Sequence, residues 1–261
     1  RTVVNRVWQW HFGEPIVGSP NDFGPLGQLP THPELLDWLA VYFRDSGGSF
    51  KKLHKLLVMS ETYRQSSIED EAKEKVDSGN QWLWRMNRRK LSAEEMRDTV
   101  LMVSGKLNLE MGGRGFYLFN LEQTAHSPHY YYHKFDPEDE KSHRRSIYRF
   151  VVRSQPNPFM TTLDCADSSQ STPKRNETLT ALQALSLLNN KFTLVMARHF
   201  ADRLSGEEER ITRQVQLGFE LVAGRPPSAE EQNMLAEYAS EHGMANLCRS
   251  LFSLSEFAFI D

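Results

Sequence analysis

The sequence predicts a mainly α fold, a compact multi-helix domain with long ordered loops and at most a small β-sheet. Capping residues precede several apolar runs with helical spacing, whereas the alternating runs that are typical of strands are few. Hydrophobic residues make up 39% of the 261 residues and charged residues 25%. This composition supports a packed core and argues against general disorder.

The first part of the chain carries three helix signals. The run at 2–12 has a helical pattern. Thr31 and Glu34 form a capping-box sequence around the proline that opens a second helix at 33–46. Ser49 is suited to cap a third helix, whose leucines fall on adjoining turns.

Four aromatic side chains accompany the first two helices. Trp8, Trp10 and Phe12 lie close together, and Trp38 lies in the second helix. Such a group is able to form a stacking platform for sugars, but a buried core explains it more simply. We therefore predict all four in the core.

The second part of the chain repeats the same helix signals. Ser92 and Ser228 each open a capping box that a glutamate completes three residues later. Gly224, followed closely by a proline, ends the helix before the second box. The final run at 245–261 is also predicted to be helical.

Strand signals are short, and loops concentrate in two places. The runs at 115–119, 145–153 and 158–164 are each compatible with one short strand. Long loops are predicted at 13–30, which holds four glycines and four prolines, and at 120–145. A loop as long as the first is expected to be functional or to dock on the body.

A weak boundary divides the chain into two predicted parts. Residues 1–205 form a main helical body that contains a polar segment at 142–190. Residues 206–261 form C-terminal helices packed on that body. The boundary is placed where a Ser-Gly pair precedes a charged run.

Charge and composition exclude several classes of protein. The net charge is −3, with 31 basic and 34 acidic residues, so the chain lacks the cationic excess of a general nucleic-acid binder. No run approaches the ~20 apolar residues of a membrane span. Cys165 and Cys248 provide no disulfide framework, and we expect two free thiols rather than one bridge. Because the chain opens at Arg1 within a helical pattern, we expect it to be a piece of a longer protein.

The polar segment at 142–190 holds the candidate site. One interpretation is a pocket for an anionic or polyhydroxylated ligand, in which arginine forks bind the ligand and a carboxylate or imidazole moves a proton. The other is a buried ion-pair network that ties an irregular segment to the helices. The candidate catalytic residues are Asp164, Asp167 and His143, and the candidate ligand-binding residues are Arg144, Arg145, Arg153 and Arg175.

We predict no metal site. His126, His129 and His133 have a spacing that would place them on one helical face, but a proline interrupts that turn. A polar loop with incidental histidines is the better interpretation.

Seven strings, in order along the chain, carry a resemblance. They are NRVWQWHFG (5–13), NDFGPLGQLPTHPELLDWLA (21–40), LLVMSETYRQSS (56–67), WRMNRRKLSAEEMRD (84–98), RRSIY (144–148), LDCADSSQSTPKRNETLTALQALSLLNN (163–190) and SEFAFID (255–261). Together they resemble the planctomycete-specific domain of unknown function that ends large proteins carrying a cytochrome c domain. The resemblance implies an exported protein, periplasmic or secreted, that has other domains of the same polypeptide as partners. This chain has no Cys-x-x-Cys-His, so haem c is expected elsewhere and no cofactor in this domain.

Three functions remain compatible with these observations. The first is a ligand-binding or interaction module of a larger exported, haem-associated protein. The second is an exported hydrolase acting on complex polysaccharide, and the third is a structural platform that docks a cytochrome domain. An enzyme requires an open pocket with an unpaired carboxylate, whereas a platform requires the polar residues to be mutually satisfied.

Overall fold

The computed structural model describes residues 1–260, and the fold is mainly α, as predicted. Among these residues there are twelve α-helices, three short 3-10 helices and two small two-stranded sheets. The backbone divides into two compact units. The first is Arg1–Arg89, which Ile260 joins, and the second is Lys90–Phe259.

The first unit is built from short helices around one apolar cluster. The long loop at 13–30 docks on this cluster, since Ile16 and Val17 are buried in it. The side-chain amide of Asn5 bonds both the N–H and the carbonyl of Val17, which ties the loop to the first helix. The helices are α1 (Thr2–Phe12), α2 (Pro33–Asp45), α3 (Phe50–Val58) and α4 (Glu71–Glu74).

The aromatic core prediction is half right. Trp8 and Phe12, one helical turn apart on α1, are buried and stacked. Trp10 is 59% exposed and Trp38 55% exposed. Trp10 lies two residues from each of the buried pair, which places it on the opposite side of a helix.

The capping box predicted at Thr31 is wrong. The residue before α2 is His32, and no side chain caps the helix. Thr31 instead bonds the carbonyl of Ile16 through both its N–H and its hydroxyl. The proline at the first helical position already removes one of the donors that a cap would satisfy. The cap predicted at Ser49 is confirmed, since its hydroxyl accepts from the N–H of Lys52.

The second unit holds the larger core, and helix signals predicted in it are confirmed. Ser92 and Ser228 form complete capping boxes, and Gly224 ends its helix in the left-handed conformation. The buried cluster draws side chains from the helices at 93–103, 191–207, 211–223 and 244–251. The helices are α5 (Ala93–Val103), α6 (Pro158–Thr162), α7 (Ala181–Asn189), α8 (Lys191–Glu207), α9 (Ile211–Ala223), α10 (Ala229–His242), α11 (Met244–Leu251) and α12 (Ser255–Ala258).

The strand predictions are mostly wrong. The run at 158–164 forms α6, because Asn157 caps a helix that Pro158 opens. The runs at 115–119 and 145–153 meet in a single parallel bridge, and a 3-10 helix occupies part of the second. A hairpin instead forms in the predicted loop at 120–145. The strands are β1 (Arg89–Lys90) with β4 (Phe259–Ile260), and β2 (Asn120–Gln123) with β3 (Pro128–Tyr131).

The C-terminal run is not one helix. It forms α11 and α12, and its last described residues form β4. Asp261, the end of the predicted helix, lies outside the described residues. The predicted division at residue 205 falls within α8, on which α9 and α11 pack, and it stays a prediction.

Candidate functional site

The second unit contains an open cleft of about 600 Å³ beside α5. Its apolar walls come from Leu91, Met102, Leu107, Ile147 and Val151. Its polar and charged lining comes from Ser92, Glu94, Glu95, Asp98, Thr99, Ser146, Arg149 and Arg175. A volume of this order is typical of small-molecule sites.

Helix α5 supplies the acidic side of the cleft. Its capping box fixes the first turn, and Met96 and Val100 bury one face in the core. Glu94 and Asp98 are four residues apart, so they lie on adjoining turns of a neighbouring face. Both side chains are about three-quarters buried.

The extended segment at 149–152 supplies the opposite side. The N–H of Phe150 donates to the carbonyl of Phe116, which anchors the segment on its neighbour. In extended backbone, alternate side chains point in opposite directions. Arg149 and Val151 therefore line the cleft, whereas Phe150 packs against Tyr117.

Glu94 lies between two arginines. Its carboxylate pairs with Arg175 at 2.5 Å and lies 3.9 Å from the guanidinium of Arg149. The Cys165 thiol is 3.5 Å from the same carboxylate. Burial, the largest single effect, would raise the pKa of Glu94, but the hydrogen bond and charge of Arg175, together with a backbone N–H and the Cys165 thiol, hold that pKa below its usual value. Glu94 is therefore ionised at neutral pH.

Arg149 is the least satisfied charged group of the cleft. Its side chain is only 9% exposed. One terminal nitrogen contacts the Cys165 sulfur at 3.5 Å, and among the described residues its Nε has no hydrogen-bond partner. Guanidinium has five N–H donors, and a buried one normally fills them with oxygen acceptors. Arg149 and Arg175 thus lie beside the same carboxylate, that of Glu94.

Asp98, which lines the cleft, and its neighbour Arg97 both bond the polar segment. Both oxygens of Asp98 accept the N–H of Ser146, and one also accepts its hydroxyl at 2.7 Å. Arg97 is fully buried and donates to the carbonyls of Ser142 and Arg144. Burial lowers the pKa of Arg97 to about 10, which still leaves it charged at neutral pH. These bonds hold the polar segment on α5.

Asp164 forms a separate, mostly buried pair with Lys90. It accepts from Nζ of Lys90 at 2.8 Å, from both the N–H and hydroxyl of Thr178, and from the Gln183 amide. Burial alone would raise the pKa of Asp164, but these donors, led by Lys90, lower it. A carboxylate held by so many donors is poorly prepared to accept a proton from a substrate.

His143, Arg144 and Arg145 form a third group. The imidazole of His143 is buried, with Nε2 2.8 Å from the carbonyl of Pro137. Arg144 donates to three carbonyls of the loop at 110–114 and lies 4.0 Å from the ring centre of Tyr148. Arg145 lies near the same ring, at 5.7 Å. Arg144 thus holds the loop at 110–114 in place, whereas His143 contacts a different turn.

Arg153 and Asp167 form a fourth group at the surface. Arg153 donates to the carbonyls of Ser168 and Ser169. Asp167 accepts the N–H of Ser169 at 2.8 Å and the amide of Gln170. The backbone bond from Ser169, the largest contribution, lowers the pKa of Asp167.

The structure therefore brings together fewer of the predicted residues than expected. Of the seven, Arg175 lines the cleft, and the contacts of the others divide among the groups just described. The roles given to these residues stay predictions. Glu94, Asp98 and Arg149 were not predicted as site residues. The four-residue spacing of the first two on a predicted helix is the signal that the sequence offers for them.

The three histidines do not share a helical face. His129 lies on β3, stacked with Tyr131, and His133 contacts the same ring edge-on. Within residues 1–260, no group of three or more His, Cys, Asp or Glu side chains is arranged to hold a metal ion. Among the helices described, none combines the length and apolar character of a transmembrane span.

The fold and this cleft describe a mainly helical domain with a polar surface site. The chain belongs to the PSD1 family, described as a protein of unknown function (DUF1553), whose model matches residues 1–239. This agrees with the resemblance in the sequence. Comparison with curated proteins gave no match, and neither did comparison with solved structures.

Proposed function

We propose that this domain is a ligand-binding module whose cleft beside α5 takes a hydroxylated ligand carrying a carboxylate or sulfate group. The observation that supports this most is the position of Arg149. It is a buried guanidinium at the wall of an open cleft, and its protein partners satisfy few of its donors. An oxyanion is the partner that best matches a guanidinium fork.

The surroundings of Arg149 support an anionic ligand. Arg149 and Arg175 lie beside the carboxylate of Glu94, the charge of Glu95 also acts on Arg175, and Asp98 is occupied by Ser146 and Arg97. A buried charge that lacks a full counter-charge is costly. An added anion near Arg149 would reduce that cost.

The remaining lining suits a ring-shaped, hydroxylated ligand. Ile147 and Val151 give apolar surface, and Ser92 and Thr99 contribute hydroxyl groups. Sugar rings have apolar faces and hydroxyl edges, so a uronic or sulfated sugar matches both kinds of lining. Arginine side chains also bind sugar hydroxyls as donors.

We place this module in an exported protein, periplasmic or secreted, of the planctomycete type that the sequence resembles. Its partners are other domains of the same polypeptide, among them a cytochrome c domain. Haem belongs to that domain, because this chain lacks the cysteine pair that attaches it.

A thermal-shift and calorimetric screen tests the binding proposal. The probes are D-glucuronate, digalacturonate and a sulfated N-acetylglucosamine disaccharide, with glucose as the neutral match. We expect the anionic sugars to stabilise the wild-type chain and glucose to leave its Tm unchanged. Arg149→Gln and Arg175→Gln should each weaken binding by about tenfold or more.

Two control variants localise the effect. Arg213→Gln removes an exposed arginine of α9 that bonds Gln216, and it should bind like wild type. Arg153→Gln tests the sequence-predicted binding residue, which lies outside the cleft lining. If Arg153→Gln loses binding and Arg149→Gln does not, the ligand binds near Arg153 and not in the cleft. Absence of any stabilisation by the anionic sugars would contradict the proposal.

An exposed apolar face favours docking as a second candidate function. Leu182 and Leu185 lie three residues apart on α7, Leu179 shortly precedes this helix, and all three are exposed. A contiguous apolar patch often marks an interaction site. If a cytochrome domain docks there, Leu182→Glu should abolish its association in sedimentation experiments while sugar binding stays unchanged. Unchanged association would exclude this face.

A further inference from the structure

We infer that Glu94 is a built-in competitor, which occupies in the free protein the position of the ligand's anionic group. This inference rests on the proposed function. It goes further by assigning to Glu94 the control of affinity and charge selectivity. The residue is a positioning group of the site rather than a structural ion pair alone.

The geometry of the carboxylate carries the inference. Its Oε2 is 2.5 Å from one terminal nitrogen of Arg175, and its Oε1 is 3.4 Å from the other. The same Oε1 lies 3.9 Å from Arg149. One carboxylate thus bridges two guanidiniums, which is the arrangement that an incoming carboxylate or sulfate would make.

The exposures of the three side chains give the order in which a ligand meets them. Arg175 is 43% exposed, Glu94 26% and Arg149 9%. Arg175 also lies in an irregular segment, whereas the backbone of Glu94 is fixed in the first turn of α5. A ligand from solvent therefore meets Arg175 first, and the Glu94 carboxylate competes with it for both arginines.

The physical consequence is a penalty on every anion that enters. Two carboxylates a few ångströms apart repel, and the repulsion is strong where solvent is partly excluded. An anionic ligand must therefore displace Glu94 from an arginine or bind beside its charge. Glutamine has the same shape and an acceptor oxygen, but it lacks the charge.

Glu94→Gln is therefore expected to bind D-glucuronate about tenfold more tightly than wild type. Glucose binding should stay unchanged. The measurement is a titration with D-glucuronate followed by NMR or calorimetry, at fixed pH and salt. Glu122→Gln is the matched control, since Glu122 pairs with Lys134 on the hairpin and its replacement changes the net charge equally. It should bind like wild type.

The outcomes separate the inference from the proposed function. If Arg149→Gln and Arg175→Gln lose binding while Glu94→Gln binds equally or more weakly, the site stands and the competitor role is wrong. If no variant binds D-glucuronate or the sulfated disaccharide, both fail. Should Glu94→Gln unfold, Glu94→Asp replaces it: the shorter side chain keeps the charge but withdraws from the arginines, and tighter binding than wild type is again expected. Unchanged or weaker binding there would overturn the inference.

Discussion

Asp164 combines an unusual backbone with a buried charge. Its φ is +65°, in the left-handed region, and its carboxylate pairs with Lys90, whose side chain is almost fully buried. Aspartate and asparagine tolerate this conformation better than most residues. Asp164→Asn therefore keeps the backbone favourable while it removes the counter-charge of Lys90.

We predict that Asp164→Asn lowers the free energy of unfolding at neutral pH by about 3 kcal/mol, because a buried lysine loses its partner. The pKa of Asp164 is lower in the folded chain than its usual value, although burial opposes this. The stability it adds is thus present above its unfolded pKa and lost as pH falls through the folded one. In urea titrations between pH 3 and 7, the free energy of unfolding should fall more steeply with decreasing pH in wild type than in Asp164→Asn. Asp202→Asn, which removes an exposed carboxylate of α8, is the control. Equal slopes in wild type and Asp164→Asn would contradict the assignment.

The two cysteines give a second test at the residue scale. Both are free thiols, as expected. Burial raises the pKa of Cys248 to about 12, so it should resist iodoacetamide at pH 8 until the chain unfolds. Burial, followed by the Glu94 carboxylate, raises the pKa of Cys165. Glu94→Gln should therefore speed the alkylation of Cys165 and leave Cys248 unchanged, as mass spectrometry after timed quenching would show. Equal alkylation rates of Cys165 in wild type and Glu94→Gln would argue against the contact between Cys165 and Glu94.

At the scale of elements, the two capping boxes form a matched pair. In each, the serine hydroxyl accepts the N–H of a glutamate at 3.3 or 3.2 Å. Ser92→Ala and Ser228→Ala should each reduce the free energy of unfolding by about 1 kcal/mol. Only Ser92→Ala should weaken binding of D-glucuronate, because Ser92 is one of the residues that line the cleft and Ser228 is not. Calorimetry on both variants checks this, and equal loss of affinity in both would indicate a general effect of stability.

Local signals decided which elements the sequence could predict. Ser92, Ser228 and Gly224 act within one turn of themselves, so their helix boundaries were predictable. The run at 158–164 forms a helix rather than the predicted strand, because Asn157 caps it and Pro158 occupies its first position. The hairpin of β2 and β3 lacked the glycine turn that identifies such pairs.

The site was less predictable than the helices, because its contacts join distant parts of the chain. Arg175 and Glu94 come from an irregular segment and a helix start, and no local pattern relates them. Clustering of charges at 142–190 suggested a site, yet Arg144 and Arg153 bind backbone carbonyls of nearby loops instead. Such uses of arginine depend on tertiary structure and leave no spacing signal.

At the scale of the whole molecule, each unit has a buried cluster of its own. Leu53 belongs to the cluster of the first unit, and Phe200 and Val215 belong to that of the second. Units with separate cores often unfold in separate transitions. The cluster that contains Val215 also contains Leu204, so its members lie on both sides of the boundary predicted at residue 205.

We therefore predict two calorimetric transitions that core substitutions shift selectively. Leu53→Ala should destabilise one by about 3 kcal/mol, and Phe200→Ala should destabilise the other by about 4 kcal/mol. Val215→Ala decides between the two divisions of the chain: it should lower the same transition as Phe200→Ala if Lys90–Phe259 unfolds as one unit. A third transition that responds to Val215→Ala alone would support the boundary at residue 205. A single transition lowered by all three variants would mean that both clusters unfold together.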